Sequence, residues 1–500
     1  MIQYTSPNQM KLELFENPFH KKLDKENRWV VLGNNLPWDE MASIYYRKMS
    51  SGQGRPSKDA RVVIGALIIK HKLKLTDEET IEQIRENPYL QYFIGLEKFT
   101  TASIFVPTLF VEIRKRLGIK EFDAMTHDIL MKAKMTGAKE KNTEETDTKK
   151  GSGNQGEMLV DATVAPQMIK YPTDLELLSD ARKCSESLID MLYISEDGKT
   201  KPRTYRVAAR RRFLEVAKKR KKSKKVIRKA IGVQLRYLRR NIKTLHLMLD
   251  EEPKLLLLLR REWYKKLLVI QHIYAQQDGM YRSRLHTCPD RIVSIYQPHV
   301  RPIVTGKASV AAEFGSKMTL YLLDGYARIG QFSWDAFNEG ARLPDDLENF
   351  CKMYGHYPEK VLADKIYGNR ENRKLMNDLQ IMFSGKPIGR PKEDQREAQR
   401  KLFEEDKGKR NAIEGKFGQG KNAYNLGKIR ARLPETSASW IATIVFVMNI
   451  VRFCKDFTLA FFKYVMQGIG YSTGYLRNLL ARIFHLTRRP EVSGSIFWTF

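Results

Sequence analysis

Gly156-Glu-Met-Leu-Val-Asp-Ala-Thr-Val-Ala-Pro166 is a short apolar run that carries one carboxylate, Asp161, and stops at a proline. Such a run, bounded by Gly and Pro, reads as a buried strand. Two later segments repeat the theme. Val361-Leu-Ala-Asp364 is again apolar and ends on an acid, and Arg410-Asn-Ala-Ile-Glu414 places an acid inside a helical pattern. Between them the period changes to two from Arg291 to Trp334. Ile292-Val-Ser-Ile-Tyr296 reads as one strand, and Lys317 to Leu323 and Tyr326 to Phe332 flank Asp324-Gly325, a pair that signals a hairpin. Leu347 to Tyr354 reads as a helix and Gln380-Ile-Met-Phe383 as a short strand entering the basic loop Gly385 to Lys392; helices dominate from Asp394 onward. These elements predict an α/β fold, an open mixed sheet with helices whose acids gather at one edge.

The bulk numbers point to a partner. The chain has 500 residues, room for two to four domains at roughly 100 to 200 residues each. Its 88 Lys and Arg outweigh 58 Asp and Glu, a net charge of +30 that calls for a polyanion, with nucleic acid as the natural candidate. Cys184, Cys288, Cys351 and Cys454 lie far apart with no CxxC pair, so neither a disulfide framework nor a zinc knuckle is expected and a reducing cytoplasm fits. The first residues lack the basic-then-apolar order of a signal peptide. The longest apolar run, Trp440 to Met448, is interrupted by Asn449 and Arg452 before it reaches the roughly 18 residues of a membrane span, so a buried helix and no membrane partner are expected.

Three further stretches set the organisation. From Trp38 to Gly118 short helices are separated by tight turns: Gly54 to Lys58 opens one, Thr76-Asp-Glu-Glu79 has the capping-box order, and Asn87-Pro88 stops the next. This pattern suits a helix-turn-helix-like DNA reader as well as a plain helical bundle. Thr136 to Gln155 is rich in Lys, Glu, Thr and Gly and reads as a linker. Tyr171 to about Met280 is helical, and from Lys201 to Lys243 it is strongly basic, with Glu215 as the sole acid within Arg206–Lys243. Phe213, Leu214, Val216, Ala217, Val226, Ile227, Ala230 and Ile231 recur at helical spacing there, so this is an amphipathic arm whose basic face suits phosphates.

The acids carry the chemistry. Two carboxylates about 4 Å apart repel by roughly 4 kcal/mol at an effective dielectric of 20, so a cation is expected between them unless one is protonated. Oxygen-only ligands favour Mg²⁺ or Mn²⁺, and a pair of such ions supports in-line phosphoryl displacement.

The three segments resemble the bacterial insertion-sequence transposases with an RNase H-like DDE catalytic domain and an InsH-type helical N-terminal domain, over most of the chain from about Trp38 to Phe453. Asp161 in LVDATVAP resembles the family's first-strand Asp, and Asp364 in VLADKIYGNRENR its second, with Tyr367 as the trailing aromatic. Arg410, Glu414 and Lys421 reproduce the Arg-x3-Glu-x6-Lys spacing around the catalytic Glu, and helical geometry puts such positions on one face. The block from Arg301 to Gly325, with Gly306, Lys307 and Glu313-Phe-Gly315, is similar to the segment before the family's hairpin. Two departures stand out: Lys407 occupies the place where some relatives have a Tyr, and the helical insertion falls between the first strand and the hairpin.

The resemblance implies an RNase H-like mixed-sheet core with a long helical insertion, preceded by an all-helical domain. It divides the chain into a DNA-binding domain at 1–134, a linker at 135–156, a catalytic domain at 157–456 with a basic insertion at 173–290, and a helical tail at 457–500. It implies an endonuclease and strand-transfer activity with two Mg²⁺ or Mn²⁺ ions on Asp161, Asp364 and Glu414. The DNA partners would be terminal inverted repeats and target DNA, held by Arg410, Lys421, Lys386, Arg390, Arg55, Lys58, Arg211, Arg212, Lys221 and Lys222. A homodimer on DNA and a cytoplasmic, nucleoid-associated setting in a bacterium complete the expectation. A non-catalytic DNA-binding product of such an element, or a nuclease of the same sheet class, are the alternatives. His286, Cys288, Cys351 and His356 lack a four-ligand zinc spacing. Glu313 and Glu339 are further acids near the sheet, with Glu313 expected to brace the backbone, or to stand in as a ligand should Asp161 not be one, and Trp334 and Trp440 read as core.

Overall fold

The computed structural model describes residues 23–49, 57–138, 153–193, 200–304, 312–385 and 396–469. The chain opens with α1 (Arg28–Asn35), α2 (Trp38–Tyr46), α3 (Ala60–Leu73), α4 (Asp77–Glu86), α5 (Pro88–Phe93), α6 (Leu109–Arg116) and α7 (Ile119–Ala138). Local chemistry sets their ends. The Thr76 hydroxyl and the Glu79 carboxylate close the expected capping box, and the Asn87 side chain, followed by Pro88 in the first turn, starts α5 as α4 stops. α7 continues to Ala138, past the point where the linker is expected to begin.

β1 (Glu157–Pro166) comes next, followed by the helical block α8 (Asp174–Leu192), α9 (Arg206–Ala217), α10 (Lys224–Glu251) and α11 (Arg261–Ser283). This block has its own core, built from Leu178, Leu188, Leu238, Leu245, Ile270 and Ile273 among others. Ile292-Val-Ser-Ile-Tyr296, expected as a strand, is irregular: Ile292 and Ile295 turn into that helical core, which satisfies their burial without a ladder. Then follow β2 (Arg301–Val304), β3 (Ala312–Leu323), β4 (Tyr326–Ser333), α12 (Leu343–Tyr354), β5 (Lys360–Ala363), α13 (Arg370–Asp378), β6 (Met382–Phe383), α14 (Arg396–Ala423) and α15 (Pro434–Ile469).

The sheet runs β2-β3-β1-β5-β6, with β4 also paired to β3. β4, β3 and β1 are antiparallel, while β1, β5 and β6 are parallel. The hairpin between β3 and β4 turns on Asp324 (φ 53°) and Gly325 (φ 82°), both left-handed as a tight hairpin turn requires. One face of the sheet packs on α12 and α13 through Met158, Val160, Tyr321, Leu347, Phe350 and Met376. The other belongs to the largest core, in which Met318, Leu320 and Leu322 meet α15 and the N-terminal helices. α15 is the axis of that core. By length and composition its segment Pro434–Asp456 could cross a membrane, but 78% of its most apolar window is buried inside the fold, where Trp440 to Phe453 touch α3, α6, α7 and β4.

Candidate active site where two parallel strands part

The register of β1 on β5 pairs Val160 with Ala363 as its last step. Asp161 and Asp364 therefore follow side by side, on neighbouring strands about 4.8 Å apart. β5 ends there while β1 runs on to Pro166; Met158 and Val160, Val361 and Ala363 are buried, and alternation sends Asp161 to the opposite face of β1. Past Asp364 the chain bends into a short 3-10 turn, and the Asp364 carboxylate accepts a hydrogen bond from the Lys365 amide (2.8 Å).

α14 lies across the face that Asp161 shares. The buried Lys360 ammonium of β5 reaches Asp406 (2.5 Å), Lys409 reaches Glu157 (2.5 Å), and Arg410 donates to Asp364 (2.9 Å). Ile413 is fully buried, and Lys416 donates to the Gly325 carbonyl (3.2 Å) in the hairpin turn. Positions 406, 409, 410, 413 and 416 form the inward stripe expected at helical spacing. Glu414 lies on the Arg410 flank of that stripe, about 6 Å further along the axis, and Lys421 follows on the same flank. Glu414 is exposed and Lys421 is half-buried.

The structure thus brings Asp161, Asp364 and Arg410 together and leaves Glu414 one turn away. Among the described residues no three His, Cys, Asp or Glu side chains form a ready metal-binding group. Electrostatics separates the two Asp residues. Asp161 is pushed up to about 6, first by burial and then by the negative charges of Glu339 and Asp364, against the lowering effects of the Ala162 amide and Arg410. Asp364 is exposed and is held by Arg410, whose guanidinium stands where a cation is called for. The donor set fits a hard divalent cation: oxygen ligands only, like charges on adjacent strands, and a buried Tyr367 hydroxyl without a hydrogen-bond partner beside them.

Glu339, which the sequence marks only as an acid near the sheet, is not among the expected ligands. It precedes α12, forms an ion pair with Lys317 (2.7 Å) and acts on Asp161 ahead of Asp364. The acid at 339 lies far from Asp161 in sequence and follows no apolar run, so only the fold could place it. Glu313, by contrast, pairs opposite Ile303, about 20 Å along β3 from Leu320, which is the partner of Asp161.

The basic positions distribute as follows. Arg211 and Arg212 are exposed on α9, and Lys221 and Lys222 are exposed in the turn that Ser223 closes by capping α10. Lys58 is exposed just ahead of α3. Arg55, Lys386 and Arg390 lie outside the described residues, as do Gly306, Lys307 and most of the tail. In the N-terminal region α3 is buried along most of its length, and α4 presents Glu78, Glu79, Glu82 and Glu86 to solvent. That row of acids repels a phosphate backbone, so α4 is not suited to enter a groove. Trp440 is core as expected, and Trp334 packs edge-on against His299, with ring centroids 4.4 Å apart. None of the four cysteines forms a disulfide.

Comparison with known proteins gives this geometry a family. A family described as "Transposase DDE domain" matches residues 361–451, which hold Asp364, Arg410, Glu414 and Lys421. A second, "Transposase domain (DUF772)", matches residues 17–116. The chain is also 30% identical over 174 residues to the uncharacterized protein ORF8 in the nfe locus of Rhizobium meliloti, covering 34% of this chain and 77% of that protein. No solved structure matches. The chain belongs to the bacterial insertion-sequence DDE transposases.

Proposed function

We propose that this transposase cleaves DNA at the terminal inverted repeats of its element and joins the freed 3′-hydroxyls to target DNA, on an RNase H-like core. The observation that carries the reading is the placement of Asp161 and Asp364 on adjacent parallel strands, just past their last paired residues, with Arg410 bonded to Asp364. In this reading Asp161, Asp364 and Glu414 hold Mg²⁺ or Mn²⁺, two ions in the working complex. When bound, such ions lower the cost of forming a nucleophilic oxygen and of releasing the leaving oxygen in an in-line displacement.

The chain's own residues prepare the rest. Arg410, released from Asp364, has a planar guanidinium suited to a phosphate, and Lys421 on the same helix flank adds a second positive charge. The ion pairs of Lys360 with Asp406 and Lys409 with Glu157 keep α14 aligned on the sheet, so that the flank carrying Glu414 stays beside the Asp pair. Arg211, Arg212, Lys221 and Lys222 on the helical arm hold DNA backbone, together with Lys58 and with Arg55, Lys386 and Arg390. The division into an N-terminal region at 1–134, a linker at 135–156, a catalytic region at 157–456 carrying the insertion 173–290, and a tail at 457–500 belongs to the same reading. So do a homodimer that brings two element ends together and a cytoplasmic, nucleoid-associated setting.

The test is Mg²⁺-dependent cleavage of labelled DNA carrying the element's ends, with Asp161→Ala, Asp364→Asn and Glu414→Ala run beside the wild-type chain. Losses of roughly 10³-fold are expected in all three, because an uncharged side chain cannot stabilise the ions that the reaction needs. Undiminished cleavage by Asp364→Asn sinks the site assignment. Salt-sensitive binding to the ends without any wild-type cleavage points instead to a DNA-binding protein.

A further inference from the structure

Glu339 stands beside the turn that follows Asp364 because two backbone segments are locked together. Gly340 approaches the turn after Asp364 so closely that a Cβ there would collide with the Ile366 carbonyl oxygen. The buried Asn372 amide ties the same two segments, donating to the Gly340 carbonyl (2.6 Å) and to the Tyr367 carbonyl (2.9 Å). Glu339 is thereby held on the turn that presents Asp364, and Lys317 approaches it at 2.7 Å. An independent feature ends the same turn. Tyr367 is fully buried, its hydroxyl has no hydrogen-bond partner, and the charges that act on it are those of Glu339, Asp161, Asp346 and Asp364. A buried hydroxyl without a partner is costly, so a donor left in this state next to carboxylates is ready for an acceptor that arrives with a ligand.

We propose that Glu339 is a fourth carboxylate of the divalent-ion centre, on the side of Asp161 away from α14, and that the Tyr367 hydroxyl donates to an oxygen of the bound ion's shell. The proposal rests on the metal-dependent reading above. It assigns two residues of this chain that lie outside the Asp, Asp and Glu set, and it explains why the segment before α12 is clamped to the Asp364 turn. Lys317 balances the extra acid while no ion is bound.

The experiment is a Mn²⁺ titration of the full-length chain without DNA, followed by calorimetry and by the electron paramagnetic signal of free Mn²⁺. The variants are Glu339→Gln, Tyr367→Phe, Asp364→Asn and, as a control for charge on α12, the exposed Glu348→Gln. Glu339→Gln is expected to weaken Mn²⁺ binding about 10- to 100-fold, the range found for groups that support metal ligands, and Tyr367→Phe by about tenfold. Glu348→Gln should bind as the wild type does. Tyr367→Phe also separates a ligand role from a structural one: removing a hydroxyl without a partner should leave the metal-free melting temperature unchanged or raised while affinity falls. If Glu339→Gln folds poorly, Tyr367→Phe decides. Wild-type affinity and stoichiometry in Glu339→Gln, or in Tyr367→Phe where that variant decides, overturns the proposal while leaving the Asp pair in place. A wild-type chain that binds no more Mn²⁺ than Asp364→Asn overturns the metal reading and this inference together.

Discussion

Two places in this molecule gather ionised side chains at the edge of apolar elements, and they resolve the charge in opposite ways. Where the N-terminal helices meet α15, Asp77 accepts from the Arg114 guanidinium and pairs with the Lys70 ammonium (2.9 Å). Both cations also lie over the Trp440 ring, at 4.6 Å for Lys70 and 4.7 Å for Arg114, and the His71 ring meets it edge-on at 5.1 Å. The two cations hold the Asp77 carboxyl below its ordinary value, against the opposing effect of burial. Beside the end of β5, in contrast, Asp161 and Asp364 follow one another on neighbouring strands, and Asp161 is pushed up to about 6, first by burial and then by the negative charges of Glu339 and Asp364. The first cluster is saturated by its own neighbours and holds two regions together. In the second, Asp364 and Glu339 have Arg410 and Lys317 while Asp161 has no ion pair among the described residues, an arrangement that costs stability in a partly buried place.

The largest expected effect lies in the saturated cluster. Asp77→Asn leaves Lys70 and Arg114, 1% and 4% exposed, without their counter-charge, and should cost about 3–5 kcal/mol in urea denaturation. A loss well under 1 kcal/mol would remove the contrast, because the node would then be no more binding than a surface pair. Gly340→Ala comes next. The added methyl meets the Ile366 carbonyl, so stability should fall by about 1–3 kcal/mol and DNA cleavage should fall with it, since the Asp364 turn must shift. Unchanged cleavage in a destabilised variant would separate that clamp from the site.

The smallest effect has the opposite sign. Because Asp161 is raised from 3.8 to about 6, the folded chain holds its proton more tightly than the unfolded chain does. The contribution of this group to metal-free stability therefore falls as pH rises through that window and stays low above it. Asp161→Asn should stabilise the metal-free protein by about 1–2 kcal/mol at pH 7, after allowance for partial solvent screening, and the gain should fade below the ordinary carboxylate range. Destabilisation by Asp161→Asn would place this acid with Asp77 among the structural charges.

Several of these features were open to sequence reading because they are local. The Thr76 and Glu79 capping box, the Asp324-Gly325 hairpin and the apolar runs of β1 and β5 each depend on residues a few positions apart, where periodicity and turn chemistry act directly. Even the neighbouring places of Asp161 and Asp364 followed from two similar apolar runs that each carry an acid. Ile292 to Tyr296 misled because short alternation is satisfied equally well by a loop that dips twice into a helical core. The Lys70, Asp77, Arg114 and Trp440 cluster was invisible because its members lie on four separate helices, and nothing in their spacing relates them.

Sequence alone determined that this chain forms a mixed α/β sheet, that two of its strands deliver acids, and that Arg410, Glu414 and Lys421 share one flank of a helix, since each depends on short-range geometry. Only the tertiary structure decided that Arg410 rather than Glu414 contacts Asp364, that Glu339 pairs with Lys317 beside the Asp364 turn, and that the N-terminal helices share a core with α15. These depend on how elements hundreds of residues apart settle against one another, and burial, which governs both the packing and the charge on Asp161, is a property of the assembled fold.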